Sequence, residues 1–258
     1  MVLFRKLLMG CALLLATLTA GLPAARAGEA TVAVAASFAG VLGELSARFE
    51  AASGHHLVAV VGSSGKLASQ ILNGAPFDIF LSADVARPDA LIARGMATAN
   101  DRFTYAIGRL ALWSADPKRL AGGGEAYLEG ADEGRVAIAN PKLAPYGMAA
   151  IETLKALGLE KAMASRLVYG ENVAQAFALA RSGAAAVAFV AWSEALSPEG
   201  ARGSYWLVPK SLHQPLRQDG LILARGKDNA AATAFIAFLA SKEARSIIDK
   251  AGFSSEGG

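Results

Sequence analysis

The sequence predicts an α/β fold, with a parallel sheet covered by helices on both faces. Three observations predict it. Between Thr31 and Gly95, short apolar runs alternate with stretches of helical spacing in the order β-α-β-α-β-α. The same alternation restarts after Thr104. No internal repeat at a period of about 20–50 residues interrupts it, which sets solenoids and propellers aside.

Each element has its own signal. Thr31–Ala36 is a β-rich run, and Phe38, Val41, Leu42, Leu45 and Phe49 then recur at helical spacing until Gly54. Leu57–Val61 is a second strand. Leu67, Ala68, Ile71 and Leu72 mark a second helix closed by Asn73-Gly74, and Asp78–Leu81 is a third strand. Pro88–Ala93 reads as a helix ended by Gly95. In the second half, Arg109–Trp113, Arg135–Ala139, Leu167–Tyr169, Ala185–Val190 and Leu221–Ala224 read as strands. Helical stripes run through Ile151, Leu154 and Leu157, and through Val173, Ala176, Phe177 and Ala180. Phe235, Ile236 and Leu239, then Ile247 and Ile248, mark two closing helices. Pro209–Gln218, rich in Pro and polar residues, reads as a crossover.

The N-terminus is a targeting segment. Arg5 and Lys6 precede an apolar stretch, Leu7–Leu22, and Ala25-Arg26-Ala27 supplies an A-x-A cleavage site, so residues 1–27 read as a secretory signal peptide. Lipid anchoring at Cys11 is not expected, because only Leu7–Gly10 separates the positive charges from that cysteine. The 258 residues carry 25 basic and 22 acidic side chains. Cleavage removes Arg5, Lys6 and Arg26, and with them the whole basic excess. The remaining chain then has no net charge with which to attract nucleic acid or anionic lipid. A hydrophobic fraction of 53% excludes disorder, and a single cysteine excludes a disulfide scaffold. A thiol-free exported chain suits the periplasm.

Two strand-to-helix turns carry chemistry: Ala35-Ala36-Ser37, and Gly62-Ser63-Ser64-Gly65. Each places a serine where an N-cap belongs. Either serine alone reads as an ordinary cap. Together, at the carboxyl ends of neighbouring parallel strands, they point to an anion site made of hydroxyls and helix N-termini, with no lysine or arginine. Two further loops before helices are candidates. They are Asn140–Gly147, where the Tyr146 hydroxyl could close a lid, and Gly170–Val173.

Other signals fail. Gly65-Lys66 suggests a P-loop, but Val60 and Leu67 stand at positions that need Gly and Ser/Thr. His55 and His56 are adjacent, so their side chains diverge, and a solvated turn is expected rather than a metal site. Lys66 and Arg181 are expected on solvated helix faces. No H-E-x-x-H or G-x-S-x-G pattern occurs.

At these residues the chain resembles the periplasmic molybdate-binding proteins of ABC transporters. The resemblance spans Glu29–Phe253. It is carried by Ala33–Ser37 (AVAAS), Gly62–Gln70, Asn73–Asp84 (NGAPFDIFLSAD) and Pro145-Tyr146-Gly147. It implies a type II periplasmic-binding-protein (flytrap) fold of two α/β lobes joined by two crossovers, residues 29–106 with 210–258 in one and 107–209 in the other. It also implies a monomer without a cofactor, and a membrane permease as partner. By position, the oxyanion ligands it implies are Ser37, Ser64 (with Ser63 as neighbouring candidate), Tyr146 and the backbone amide of Val173. The sequence departs from some members at Ala191, where they carry a tyrosine. The Tyr146 hydroxyl is expected to replace the missing one from the other side.

The mechanism this implies is physical. Closure strips water from a tetrahedral dianion, and aligned neutral N–H and O–H donors replace it, each contributing about 1.5–3 kcal/mol. Cavity size then excludes the smaller sulfate, while molybdate and tungstate are nearly equal in size. Closure also forms the surface a permease reads. Three rivals remain: a sulfate or phosphate binder, for which Asp78 or Asp84 could accept a remaining proton; a secreted serine hydrolase using Ser37 or Ser64; and a sensory flytrap domain.

Overall fold

The computed structural model describes residues 27–130 and 134–254. The expected signal peptide and Cys11 lie outside the described residues, save for Ala27. In chain order the first elements are β1 (Glu29–Ala35), α1 (Ala39–Ser53), β2 (His56–Gly62), α2 (Ser64–Leu72), β3 (Ile79–Leu81), α3 (Ala86–Ala93) and β4 (Arg102–Gly108). There follow β5 (Leu110–Ser114), α4 (Gly124–Glu129), β6 (Val136–Ala139), α5 (Pro145–Ala156), α6 (Glu160–Met163), β7 (Leu167–Gly170), α7 (Val173–Arg181), β8 (Val187–Ala191), α8 (Trp192–Ala195) and β9 (Ser204–Leu207). The chain ends with β10 (Leu216–Ile222), α9 (Ala230–Leu239) and α10 (Lys242–Lys250).

Two five-stranded sheets result, in the orders β2-β1-β3-β10-β4 and β7-β6-β8-β5-β9. Both are mixed, which corrects the parallel sheet expected. β1 pairs in parallel with β2 and β3, but β10 runs antiparallel to both β3 and β4. In the second sheet β6 is parallel to β7 and β8, while β5 is antiparallel to β8 and β9. The βαβ units supply the parallel pairs, since a parallel neighbour needs a crossover helix. The antiparallel strands come from segments that change sheet. The chain leaves the first sheet after β4, at Gly108, and returns with β10. That strand begins at Leu216, five residues before the Leu221 start expected, so the crossover segment is shorter than Pro209–Gln218. β4 itself was not foreseen as a strand of the first sheet.

Period-two alternation builds a core on each face. Ala30, Val32 and Val34 of β1 pack with Phe38, Val41, Leu42, Leu45 and Phe49 and with Phe235 of α9. Ala33, between them, faces the opposite side, with Leu67, Ala68 and Ile71 of α2 and Phe80 of β3. The second sheet repeats this scheme. Leu110, Leu112, Ile138 and Phe189 meet Ala149, Ala150 and Leu154 of α5, while Ala111, Trp113, Ala188 and Val190 meet Ala176 and Phe177 of α7. Truncating a fully buried leucine of such a face, Leu45 or Leu154, costs about 2–5 kcal/mol. The Leu57–Val61 run is an edge strand, and Val61 is exposed. One core also includes Ala35, Ala36 and Ala83 of the first lobe among second-lobe residues, so apolar contact continues across the cleft.

Candidate functional site

The carboxyl ends of β1 and β2 and the starts of α5 and α7 converge on one hollow between the two sheets. Its lining includes Ser37, Ser63, Ser64, Tyr146, Asn172 and Val173, closed by Ala35, Ala36 and Ala83, and no charged side chain takes part. The hollow is small, about 10 Å³, on the scale of one water molecule.

The serines differ from the caps expected. Ser37 sits inside a 3₁₀ turn, Ala36–Phe38, whose N-cap position is Ala35. Ser63 is the N-cap residue of α2, yet its side chain makes no capping bond. Ser64 is the first residue of that helix. Its Oγ accepts the Ala83 N–H at 2.9 Å, which leaves its own proton to donate. The Ser37 and Ser63 hydroxyls are buried with no hydrogen-bond partner. A buried unpaired hydroxyl costs about 1–3 kcal/mol, and two on one small hollow make it a candidate ligand site.

Tyr146 is 2% exposed, in the first turn of α5 behind Pro145. It therefore lies in a helix and not in the strand-to-helix loop expected. The Gln218 Nε2 donates to its hydroxyl at 3.1 Å. Burial, with the Glu194 carboxyl adding to it, pushes the phenol above its ordinary pKa, so it stays an O–H donor. The Ser37 hydroxyl lies beside it but forms no hydrogen bond of ordinary geometry. Val173 opens α7, where backbone N–H groups lack intrahelical partners. Asn172 caps that helix, its Oδ1 accepting the Gln175 N–H at 3.1 Å. Three helical N-termini thus add positive dipole ends to the hydroxyls.

The structure brings Ser37, Ser64, Tyr146 and Val173 together, with Ser63 as a full member of the lining. Asp78 and Asp84 stand outside it. Asp78 accepts the Thr31 N–H at 2.8 Å and pairs with Arg225 at 3.2 Å, and Asp84 pairs with Arg87. No histidine lines the hollow. His55 accepts the Gly28 N–H through Nδ1 at 2.9 Å, and His56 pairs with Glu50 at 2.8 Å. The pair is divergent, but His55 is buried rather than solvated. Among the described residues no cluster of three metal-binding side chains occurs.

Sequence reasoning missed Glu194 and Gln218. At the Ala191 turn, Glu194 Oε2 accepts the Ala191 N–H at 3.2 Å. Desolvation pushes this carboxyl up to about 8, well above the ordinary carboxylate range. The signal was a Glu three residues into the helix after β8, which reads as a capping residue.

The lobes touch around the hollow. The Gly65 N–H donates to the Leu143 carbonyl at 2.9 Å. Lys66 Nζ pairs with Glu171 Oε1 at 2.9 Å, and Arg87 Nη2 donates to the Lys142 carbonyl at 3.2 Å. On the other rim, Ser193 Oγ donates to the Ser37 carbonyl at 3.0 Å. Lys66 is exposed as expected, but it spans the cleft.

The sequence pattern of the family described as "Bacterial extracellular solute-binding protein" matches residues 30–254. The chain is 46% identical over 235 residues to the molybdate-binding protein ModA of Rhodobacter capsulatus, covering 91% of each chain. It is 42% identical over 231 residues to the molybdate-binding protein ModA of Azotobacter vinelandii, covering 89% of this chain and 91% of that one. Its structure superimposes on the periplasmic molybdate-binding protein of Azotobacter vinelandii with a TM-score of 0.83 at 36% identity, covering 88% of this chain and 99% of the other.

Proposed function

This chain belongs to the bacterial extracellular solute-binding proteins, and from that premise we propose that it captures molybdate between its lobes and delivers it to the permease of an ABC transporter. The observation that carries the reading is a small hollow lined by hydroxyls and helix N-termini, with two buried serine hydroxyls unpaired and no charged side chain. Such a set suits a compact dianion that needs many donors and brings no proton. The relatives that match most of the chain carry names of binding proteins, not enzymes.

The ligands we assign are the hydroxyls of Ser37, Ser64 and Tyr146 and the amide of Val173, with Ser63 adding a fifth donor. Residues 29–106 with 210–258 form one lobe in this reading, and 107–209 the other. Tungstate, equal in charge and shape and nearly in size, binds the same site, while the smaller sulfate leaves donors out of reach. The protein works in the periplasm as a monomer, after removal of residues 1–27, and the closed form presents the surface that the permease reads.

Thermal unfolding with each anion tests the reading. A ligand at about 100 times its Kd adds about 2.7 kcal/mol to stability. Molybdate and tungstate are expected to raise Tm, and sulfate and phosphate to leave it unchanged. A rise with sulfate alone would overturn the choice of anion. Phosphate is disfavoured by the lack of a carboxylate in the lining to accept its proton, and a hydrolase by the lack of a histidine base there.

A further inference from the structure

The groups behind Tyr146 explain how a single phenolic proton is aimed. Gln218 is fully buried on β10, at the irregularity that shifts the β10–β4 register between Gln218 and Asp219. Asp219 anchors that bulge. It is buried, pairs with Arg102, and accepts from Thr104 Oγ1 at 2.8 Å. The Gln218 amide is held at both ends. Its Oε1 lies 3.0 Å from the Tyr105 hydroxyl, whose one proton is shared between that oxygen and the Ser82 carbonyl at 2.8 Å. Its Nε2 donates to the Tyr146 hydroxyl at 3.1 Å.

A phenol has one proton to give. Where an amide N–H already donates to its oxygen, that proton must leave in another direction. For Tyr146 the other direction is the hollow, where the unpaired Ser37 hydroxyl also lies. Gly108 makes the arrangement possible, because a Cβ at that position would overlap both the Tyr146 hydroxyl and the Gln218 amide. The contact also joins the two halves of the molecule. Gln218 belongs to the first sheet, and Tyr146 to a helix packed on the second.

We propose that Gln218 is a positioning residue of the anion site, holding the Tyr146 hydroxyl from the first lobe so that its proton points at the bound oxyanion. The proposal rests on the anion-binding reading above. Gln218 does not line the hollow and acts only through Tyr146. A carboxylate in its place would do the reverse, accepting the phenolic proton and setting a negative charge behind the site.

The test is molybdate affinity, measured by calorimetric titration, for the unsubstituted protein, Gln218→Met, Gln218→Glu, Tyr146→Phe and the double variant Gln218→Met/Tyr146→Phe. Gln218→Met is expected to weaken binding about five- to tenfold. In the Tyr146→Phe background the same change is expected to cost less than about twofold, because no hydroxyl remains to orient. Gln218→Glu is expected to weaken binding about a hundredfold or more at pH 8, with recovery as the pH falls and the new carboxyl is protonated. An equal loss from Gln218→Met in both backgrounds, or no loss in either, would overturn the proposal while leaving the anion reading intact. Should Gln218→Met fail to fold, a Gln218→Glu affinity whose change with pH is no larger than that of the unsubstituted protein would overturn it as well. Failure of the unsubstituted protein to bind molybdate or tungstate would instead overturn the functional reading, and this proposal with it.

Discussion

Gly65 and Leu143 meet backbone to backbone across the cleft, the Gly65 N–H donating to the Leu143 carbonyl at 2.9 Å. A Cβ added at Gly65 would stand 2.9 Å from that same oxygen and 3.1 Å from the Leu143 Cα. Neither is the end of a flexible side chain, so one of the two lobes would have to withdraw. The residue that looked like a fragment of a P-loop is therefore a point of closure, chosen for the hydrogen atom it carries in place of a side chain.

Gly65→Ala is accordingly expected to weaken anion binding at least about tenfold without unfolding the protein. Gly65 lies in the first turn of α2, where alanine is the better helix former by up to about 1 kcal/mol. Affinity measured beside anion-free thermal unfolding separates the two effects. Equal affinity for variant and parent would show that the closed contact plays no part in binding.

Ser37→Ala and Ser63→Ala are expected to move stability and binding in opposite directions. Both hydroxyls are buried and unpaired, so their removal leaves the anion-free protein as stable or slightly more so. Each lost charge-assisted bond is expected to weaken molybdate binding by about 1.5–3 kcal/mol, or about 10- to 150-fold. Denaturant unfolding without ligand, paired with titration, checks this. A clear loss of anion-free stability would mean that the hydroxyls serve the fold.

Glu194 is expected to make binding depend on pH. Desolvation holds its carboxyl at about 8, and the charge it gains above that value faces Tyr146, which lines the hollow. Affinity for a dianion is expected to stay level up to about pH 7.5 and to fall about tenfold or more by pH 9.5. Stability shifts in a lower window. The unfolded carboxyl ionises near 4.5 while the folded one keeps its proton to about 8, so the contribution is fully present below 4.5 and is lost as pH rises to about 8. Glu194→Gln is expected to flatten both profiles, as pH-dependent titration and unfolding would show.

The Lys66–Glu171 pair bridges the lobes at the surface, with side chains about half and one-third exposed. A pair so placed contributes about 0–1 kcal/mol and is screened by salt. Glu171→Gln is therefore expected to weaken binding no more than about fivefold at low salt and not at all near 1 M. A large, salt-independent loss would assign Glu171 a place in the site itself.

Much of this was legible in the sequence because it is local. The i, i+4 spacing of Leu45 and Phe49 and the apolar run of Ala30–Ala35 give element and face directly. The strand-to-helix turns that hold Ser37, Ser64, Tyr146 and Val173 could be read from spacing, whereas these four residues were singled out as ligands by the family resemblance. What stayed hidden depends on pairing between distant segments. β4 carries the mixed pattern of an edge strand, and its partner β10 lies over 100 residues on, so neither the antiparallel ladder nor the Gly108 exit could be read from spacing. Gln218 looked like the end of a polar crossover that begins at Pro209, and nothing in its neighbourhood announces a tyrosine 72 positions away. Ser37 stands where a cap is expected, because a serine before a helix usually is one. The 3₁₀ turn that frees its hydroxyl is a tertiary result.

The most direct measurement is calorimetric titration of residues 28–258 with molybdate, tungstate, sulfate and phosphate in turn. The account predicts one site per chain, tight binding of molybdate and tungstate, and no heat from sulfate or phosphate. Binding of sulfate or phosphate in preference to molybdate, or no heat from any of the four, would contradict it.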